Sequence, residues 1–353
     1  MVNLCKSDQF TLTKLAKVIL PGLVFTAAVA ASAIVIADQV AINEEKVISE
    51  VIIAILIGLL IKALIKMPAV FAPGVEFSFK KIIKVAIILM GLNFSIAAVF
   101  STGLSVLAVI IASIIAAMGL MELMWRLLNI RPSLARLIGI GTAICGASAI
   151  IASAPIIDEA DDSDITYAVA TITVFGLLAI FVYPVIGSFL QLSEFHYGRW
   201  VGVAIHETAQ VLAAGFAIGN EAGEVATIVK LTRTIMLLPV IFIFIQVGQK
   251  GRRSDEPFSR LLSAFPAFIL GFLGLAVVRT AGDVLFTDSH LWITTLTAFN
   301  QLSKFLIVVA MAGIGLTTDL TKIKNLGLKP LIAGLIASIF LGVFSLSLFQ
   351  LFY

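Results

Sequence analysis

The sequence predicts an all-α polytopic membrane protein with about eleven transmembrane helices, and three observations carry that prediction. Of the 353 residues, 60% are hydrophobic and 13% charged, whereas soluble domains run nearer about half apolar and about a quarter charged. Apolar runs long enough to cross a bilayer follow one another from roughly residue 18 to the C-terminus, separated by short polar loops. The basic residues concentrate in alternate loops. The same composition excludes a soluble domain, a disordered chain and a basic nucleic-acid binder. Two distant cysteines, Cys5 and Cys145, exclude a disulfide scaffold.

Residues 1–17 read as a polar, basic cytoplasmic tail, and residues 18–353 as a single transmembrane domain. The first apolar run has no small-residue cleavage site after it, so it reads as a retained span. Candidate helices cover roughly 18–37, 48–66, 80–99, 104–125, 134–154, 165–190, 200–218, 225–247, 260–280, 291–317 and 329–351. On one side of these spans lie Lys6, Lys14 and Lys17, the lysines from Lys62 to Lys84, and Arg126, Arg131 and Arg136. Arg199, the basic run from Lys250 to Arg260, and Lys322, Lys324 and Lys329 fall on the same side. The other side holds Lys46 and Arg279 among acidic groups: Glu44, Glu45 and Glu50, then Asp158 to Asp164, Glu221, Glu224, Asp283 and Asp288. Positive loops stay inside, so the pattern predicts a cytoplasmic N-terminus and an external C-terminus. Three basic residues remain, Lys230, Arg233 and Lys304, and all three fall inside predicted spans.

A weak internal repeat accompanies this pattern. Lys80, Gly91-Leu92 and Gly103-Leu104 recur as Lys304, Gly315-Leu316 and Gly327-Leu328, and Pro21 has a counterpart in Pro239. The two copies sit in spans of opposite predicted orientation, as in the inverted repeats of secondary transporters.

The fifth span packs Gly139, Gly141 and Gly146 among Thr142, Cys145 and Ser148, with Pro155 closing it. Glycine this dense weakens a helix, and a broken helix exposes N–H groups that suit an anion. Close packing of small residues between helices is the structural alternative. In the seventh span His206, Glu207 and Gln210 occupy one turn, and its Gly202-x-Ala-Ile repeats the Gly141-x-Ala-Ile of the fifth. Titratable groups in a span line a cavity or pair with each other, so a purely structural ion pair of Glu207 competes with a role in binding or coupling. His206-Glu-x-x-Gln210 lacks the second histidine of a zinc helix, and no nucleophile–base set or phosphate-cradling loop is present. The sequence therefore predicts no enzyme, no metal and no cofactor beyond a coupling proton or sodium ion. Lys230 and Arg233 lie three apart on one helix face, and Lys304 follows Asn300, Gln301 and Ser303, a polar stretch that predicts a break in the tenth span. Three fixed positive groups against Glu207 leave a positive surplus in a low-dielectric interior, which predicts an anionic substrate. On that reading Arg233→Met and Lys304→Met abolish anion affinity in a folded protein.

Several ordered stretches resemble the YeiH-type bacterial membrane family, the UPF0324 group commonly named as sulfate exporters. They are Gly-Thr-Ala-Ile-Cys-Gly-Ala-Ser-Ala-Ile (141–150), Ala-Pro-Ile-Ile (154–157), Phe-Gly (175–176) with Tyr-Pro (183–184), Ala-Ile-His-Glu-Thr-Ala-Gln-Val (204–211), Val-Lys-Leu-Thr-Arg (229–233) and Ala-Met-Ala-Gly-Ile-Gly-Leu-Thr-Thr (310–318). The resemblance implies membership of the wider cation/proton antiporter and anion transporter superfamily. With it come bile-acid-symporter-like inverted repeats, broken crossing helices, a core moving elevator-fashion against a scaffold, and a homodimer. Ala143 stands where a serine is frequent and Glu207 where an aspartate is frequent.

The resulting expectation is a secondary transporter of small oxyanions such as sulfate, sulfite or a sulfonate. Thr142, Cys145, Gly146 and Ser148 would cradle the anion, Lys230, Arg233 and Lys304 would balance it, and His206, Glu207 and Gln210 would orient it or couple protons. An organic carboxylate carrier is the nearest alternative; a channel, or a membrane subunit of a larger complex, is the alternative of another class.

Overall fold

A computed structural model describes residues 4–40, 48–96, 103–157, 159–248, 266–286, 289–318 and 327–352. In chain order the α-helices are α1 (Leu4–Gln39), α2 (Glu50–Leu64), α3 (Ala72–Phe77), α4 (Ile83–Met90), α5 (Gly103–Leu128), α6 (Pro132–Ala143), α7 (Ala147–Ser153) and α8 (Asp162–Phe189). They continue as α9 (Glu194–Ala204), α10 (Thr208–Ile218), α11 (Asn220–Ile235), α12 (Leu237–Gly248), α13 (Ala267–Leu285), α14 (His290–Thr317) and α15 (Leu328–Phe352). No strand occurs among the described residues. Seven stretches there are long and apolar enough to cross a membrane; they lie within α1, α5, α8, α11–α12, α13, α14 and α15. The helices divide into two units, 1–96 with 271–319, and 97–270 with 320–353. Because α1 begins at Leu4, the segment read as a tail is helical from there. Of the charges used to orient the chain, Glu44, Glu45, Lys46, Asp158, Lys250, Arg252, Arg253, Arg260, Asp288, Lys322 and Lys324 lie outside the described residues.

In the first unit, small residues let backbones meet. A Cβ on Gly58 of α2 would stand 2.9 Å from the Gly315 Cα of α14, so neither position admits a side chain without parting the helices. The polar stretch of the tenth span does not break its helix: α14 runs without interruption from His290 to Thr317. Its polar groups find partners inside the unit instead. Asn93 Nδ2 donates to Asn300 Oδ1 at 3.3 Å, and Ser303 Oγ donates to the Ala86 carbonyl at 2.9 Å. The backbone ladder therefore has no reason to open there.

The second unit holds two helices that do break, and both fold back. Pro132 starts α6 in the position where its missing N–H costs nothing. After Ala143 the chain leaves helical geometry, and Gly146 takes φ +73°, a conformation that favours glycine. The fold-back brings Ile150 of α7 so close to α6 that a Cβ on Gly141 would lie 2.7 Å from its Cδ1. At the open end of this hairpin Arg131 pairs with Asp161 at 2.8 and 2.9 Å and with Asp164 at 2.5 Å, and Ser133 Oγ donates to Asp164 at 2.7 Å. Asp161 also caps α8, accepting from the Asp164 amide at 2.8 Å. Helices α9 and α10 form the second hairpin. The Ala222 amide donates to Glu194 at 3.2 Å, and Tyr197 Oη donates to the Ala214 carbonyl at 3.0 Å, so the chain leaves beside the point where it entered.

These contacts correct the expected topology. Arg131 and the Asp161–Asp164 cluster were assigned to opposite sides of the fifth span, yet they are ion-paired, because the stretch 134–154 folds back as a hairpin. The stretch 200–218 holds the end of the first arm, the tip and the second arm of the other hairpin. Arg199, assigned to a loop, lies inside α9, 4% exposed, with its guanidinium 4.5 Å from the Phe195 ring centre and 5.9 Å from that of Phe349.

Candidate functional site

A helix end leaves carbonyls without partners, and a break in a buried helix leaves them in a place without water. At the tip of the first hairpin, the Ile140 and Gly141 carbonyls accept from the amides of Ile144 and Gly146. Those of Thr142, Ala143 and Ile144 have no such local donor. Arg233 and Lys230, one turn apart on α11, reach all three. Arg233 Nε donates to the Ala143 carbonyl at 2.7 Å and Nη2 to that of Thr142, while Lys230 Nζ donates to Ile144 at 2.9 Å. The same two side chains serve the second tip. Arg233 Nη1 donates to Ile205 at 3.0 Å and to Val203, and Lys230 Nζ to Ile205 at 2.8 Å and to His206. Both side chains are fully buried. Two cations thus sit where two helix dipoles present their negative ends, which is the compensation that a buried charge requires.

The amide ends of the two breaks meet around Glu207. This residue caps α10 through a capping box: its carboxylate accepts from the Gln210 amide, and Gln210 Oε1 accepts from the Glu207 amide at 3.3 Å. The Ala147 amide, which opens α7, and the Thr173 side chain of α8 also face the Glu207 carboxylate. Gly146 has to be glycine beneath it, because a Cβ there would stand 2.4 Å from Glu207 Cγ. Gln210 is fixed from its other end by Nε2 donating to the Thr173 carbonyl at 3.3 Å. It packs so tightly against α8 that a Cβ on Gly176 would be 1.8 Å from its Oε1. Glu207, Thr208 and Ala147 keep partial exposure, whereas Lys230 and Arg233 have none. The junction is closed on its carbonyl side and open on its amide side.

His206 sits between the two. Its carbonyl accepts from Lys230, and its Nε2 lies 2.8 Å from Ser338 Oγ of α15. Ser338 Oγ also lies 2.7 Å from the Gly334 carbonyl, and the tautomer of His206 sets which way the pair is bonded. The Thr142 hydroxyl is buried with no hydrogen-bond partner among the described residues, and Cys145 is buried beside it.

The structure therefore brings together Thr142, Cys145, Gly146, His206, Glu207, Gln210, Lys230 and Arg233. Ser148 is exposed on α7 and makes none of these contacts. Lys304 is half-buried on α14, which belongs to the other unit. The positive surplus read from the sequence is corrected as well: Lys230 and Arg233 are engaged by backbone carbonyls, which leave no mark in a count of charged side chains. Ser338 and Thr173 were missed, since a lone hydroxyl on an apolar helix gives no signal. Among the described residues no three His, Cys, Asp or Glu side chains gather as a metal ion would need.

The two breaks match at both ends. Ala143 closes α6 and Ala204 closes α9, Ala147 opens α7 and Thr208 opens α10, all at the same offset as Gly141 to Gly202. In that alignment Gly146 corresponds to Glu207.

Fold and site define a multi-pass bacterial membrane protein whose polar centre is made by two broken helices. Residues 21–334 match the family model described as conserved hypothetical protein 698. A UPF0324 membrane protein of Clostridium tetani is 33% identical over 337 residues, covering 92% of this chain and 94% of the relative. Another from Agrobacterium fabrum is 33% identical over 345 residues, covering 97% and 96%. One from Streptococcus pneumoniae is 34% identical over 294 residues, covering 82% and 86%. The chain belongs to the UPF0324 family of membrane proteins. No solved structure matches it.

Proposed function

We propose that this chain is a secondary transporter of small oxyanions, of the sulfate, sulfite and sulfonate class, coupled to protons through Glu207 and working as a homodimer in the inner membrane. The carrying observation is that the open side of the junction is lined by amides and occupied by the protein's own carboxylate. Helix N-termini favour negative charge, and Lys230 and Arg233 lie behind them. Glu207 is then a tethered anion on the substrate's position. An entering oxyanion takes over the amides of Ala147 and Gln210 when Glu207 is protonated or turns away, so anion and proton move together.

The two hairpins support a re-entrant topology in the second unit. Residues 126–136 and 159–164 would share one membrane face, and residues 190–194 and 219–221 the other. Two fold-backs leave the parity of the remaining crossings unchanged, so the basic loops keep their side. The matched breaks at 143–147 and 204–208 support an inverted repeat with its site at the midplane.

The test is flux through proteoliposomes of the purified chain, with sulfate, sulfite, thiosulfate, sulfonates and small carboxylates, with and without imposed proton and sodium gradients. Saturable oxyanion flux driven by a proton gradient, with the proton dependence lost in Glu207→Gln, is the expected result. Flux of carboxylates alone would replace the substrate class. A second reading is favoured by Glu207 being the partly exposed charge of the junction, where Lys230 and Arg233 are fully buried: exchange of a cation against its proton. Sodium flux that needs no anion would establish that reading in place of the first.

A further inference from the structure

A cavity of about 320 Å³ lies between α8, α9 and α15, within the second unit and away from the amide side of the junction. That volume is at the lower end of ordinary small-molecule sites, about 300–1,000 Å³. Its mouth is framed by Leu178 and Ile339, 52% and 57% exposed, on two helices that are long and apolar enough to cross a membrane. Inside lie the rings of Tyr183 and Trp200, with centres 4.6 Å apart. The floor is the hydrogen-bonded pair of His206 and Ser338. His206 Nε2 and Ser338 Oγ are bonded to each other, and Trp200 Nε1 donates to the Gly342 carbonyl at 2.8 Å. What the cavity offers is therefore apolar surface, and at this depth in a span the medium at its mouth is hydrocarbon.

We propose that this cavity is an intramembrane lipid site, taking one acyl chain of a membrane phospholipid between α8 and α15 and laying it over Tyr183 and Trp200. The chain would press on the His206 side chain, whose carbonyl is held by Lys230, and so would touch the hairpin tip from behind. The site stands on its own geometry and does not depend on what the junction transports.

The experiment uses the full chain in nanodiscs doped with a phospholipid that carries a diazirine on its acyl chain. Photolysis is followed by peptide mapping, for wild type, Ala179→Phe, which fills the cavity, and Leu123→Phe, on the exposed face of α5. The expected result is labelling of the 175–186 and 335–343 segments several-fold above other exposed helices. It saturates with the mole fraction of the probe, is lost in Ala179→Phe and is kept in Leu123→Phe. Should Ala179→Phe not yield a monodisperse protein, saturation in the wild type decides, because lipid that merely surrounds the protein labels in proportion to its mole fraction. Labelling that follows exposure alone and never saturates would overturn the proposal. So would a disulfide joining two copies of Ile339→Cys under mild oxidation, with Cys5 and Cys145 replaced, which would make a second copy the occupant.

Discussion

Replacing Arg233 by methionine removes a side chain of similar length and leaves the carbonyls it served in place. Three of them, Thr142, Ala143 and Val203, would then have no donor, while Ile205 keeps Lys230. A buried acceptor left unpaired costs about 1–3 kcal/mol, so the loss is about 3–9 kcal/mol. Whole domains are stable by only about 5–15 kcal/mol, and the substitution therefore takes a large part of the total. For a unit of this size 1 kcal/mol moves the melting point by about 2–4 °C, which puts the expected drop at about 6 °C or more. Fluorescence-detected gel filtration after heating in detergent measures it on unpurified protein. Arg233→Lys, which keeps the charge but not the planar fork, should fall between the two. If Arg233→Met melts within about 2 °C of the wild type, the carbonyls are satisfied some other way and the structural role assigned to Arg233 is wrong. This expectation reverses the one drawn from sequence, in which the methionine variant folds normally and only loses its anion.

Gly146→Ala meets both a positive φ and the Glu207 side chain, so it should abolish transport and displace the carboxylate; wild-type flux in this variant would refute the packing of the two tips. With Cys5 and Cys145 replaced, Arg126→Cys and Glu159→Cys should react with an impermeant maleimide from one side of the membrane and Glu221→Cys from the other. Labelling of positions 126 and 159 from opposite sides would restore a simple crossing at 134–154. Outside the membrane, the Arg131 guanidinium, helped by the Asp164 amide, holds the Asp161 carboxyl at about 2, below its usual range. A lowered value means stability that is present above about pH 4 and lost as the pH falls toward 2. Asp161→Asn, which keeps the cap, should thus melt below the wild type at pH 6, with the gap closing on acidification; a constant gap would remove the charge from the explanation.

How much of this was legible in the chain depended on what leaves a trace in side chains. Membrane character, the break near Gly146, and the shared face of Lys230 and Arg233 were readable, because glycine density, hydropathy and helical spacing are sequence properties; the break at His206, in a stretch without such glycine density, was not. The fold-back of 134–154 was not, since a hairpin that enters and returns has the length and apolarity of a span. The second hairpin restores the parity, so the charge alternation holds at the remaining loops and fails only between the two hairpins, at the Asp161–Asp164 cluster and at Arg199. The purpose of the two cations was hidden for a different reason: their partners are carbonyls, which every residue has. Asn300 and Ser303 misled in the opposite sense, as polar residues whose partners, Asn93 and the Ala86 carbonyl, lie about two hundred residues away and keep the helix whole.

Arg233 and Lys230 each hold both tips at once. Neither hairpin can swing open as an independent gate without stripping charged hydrogen bonds from its partner, at roughly 1.5–3 kcal/mol for each bond lost. The pair is a rivet through two flaps. Any motion that presents the junction first to one side of the membrane and then to the other has to carry both flaps as one piece, with the Glu207 side chain seated at their amide ends.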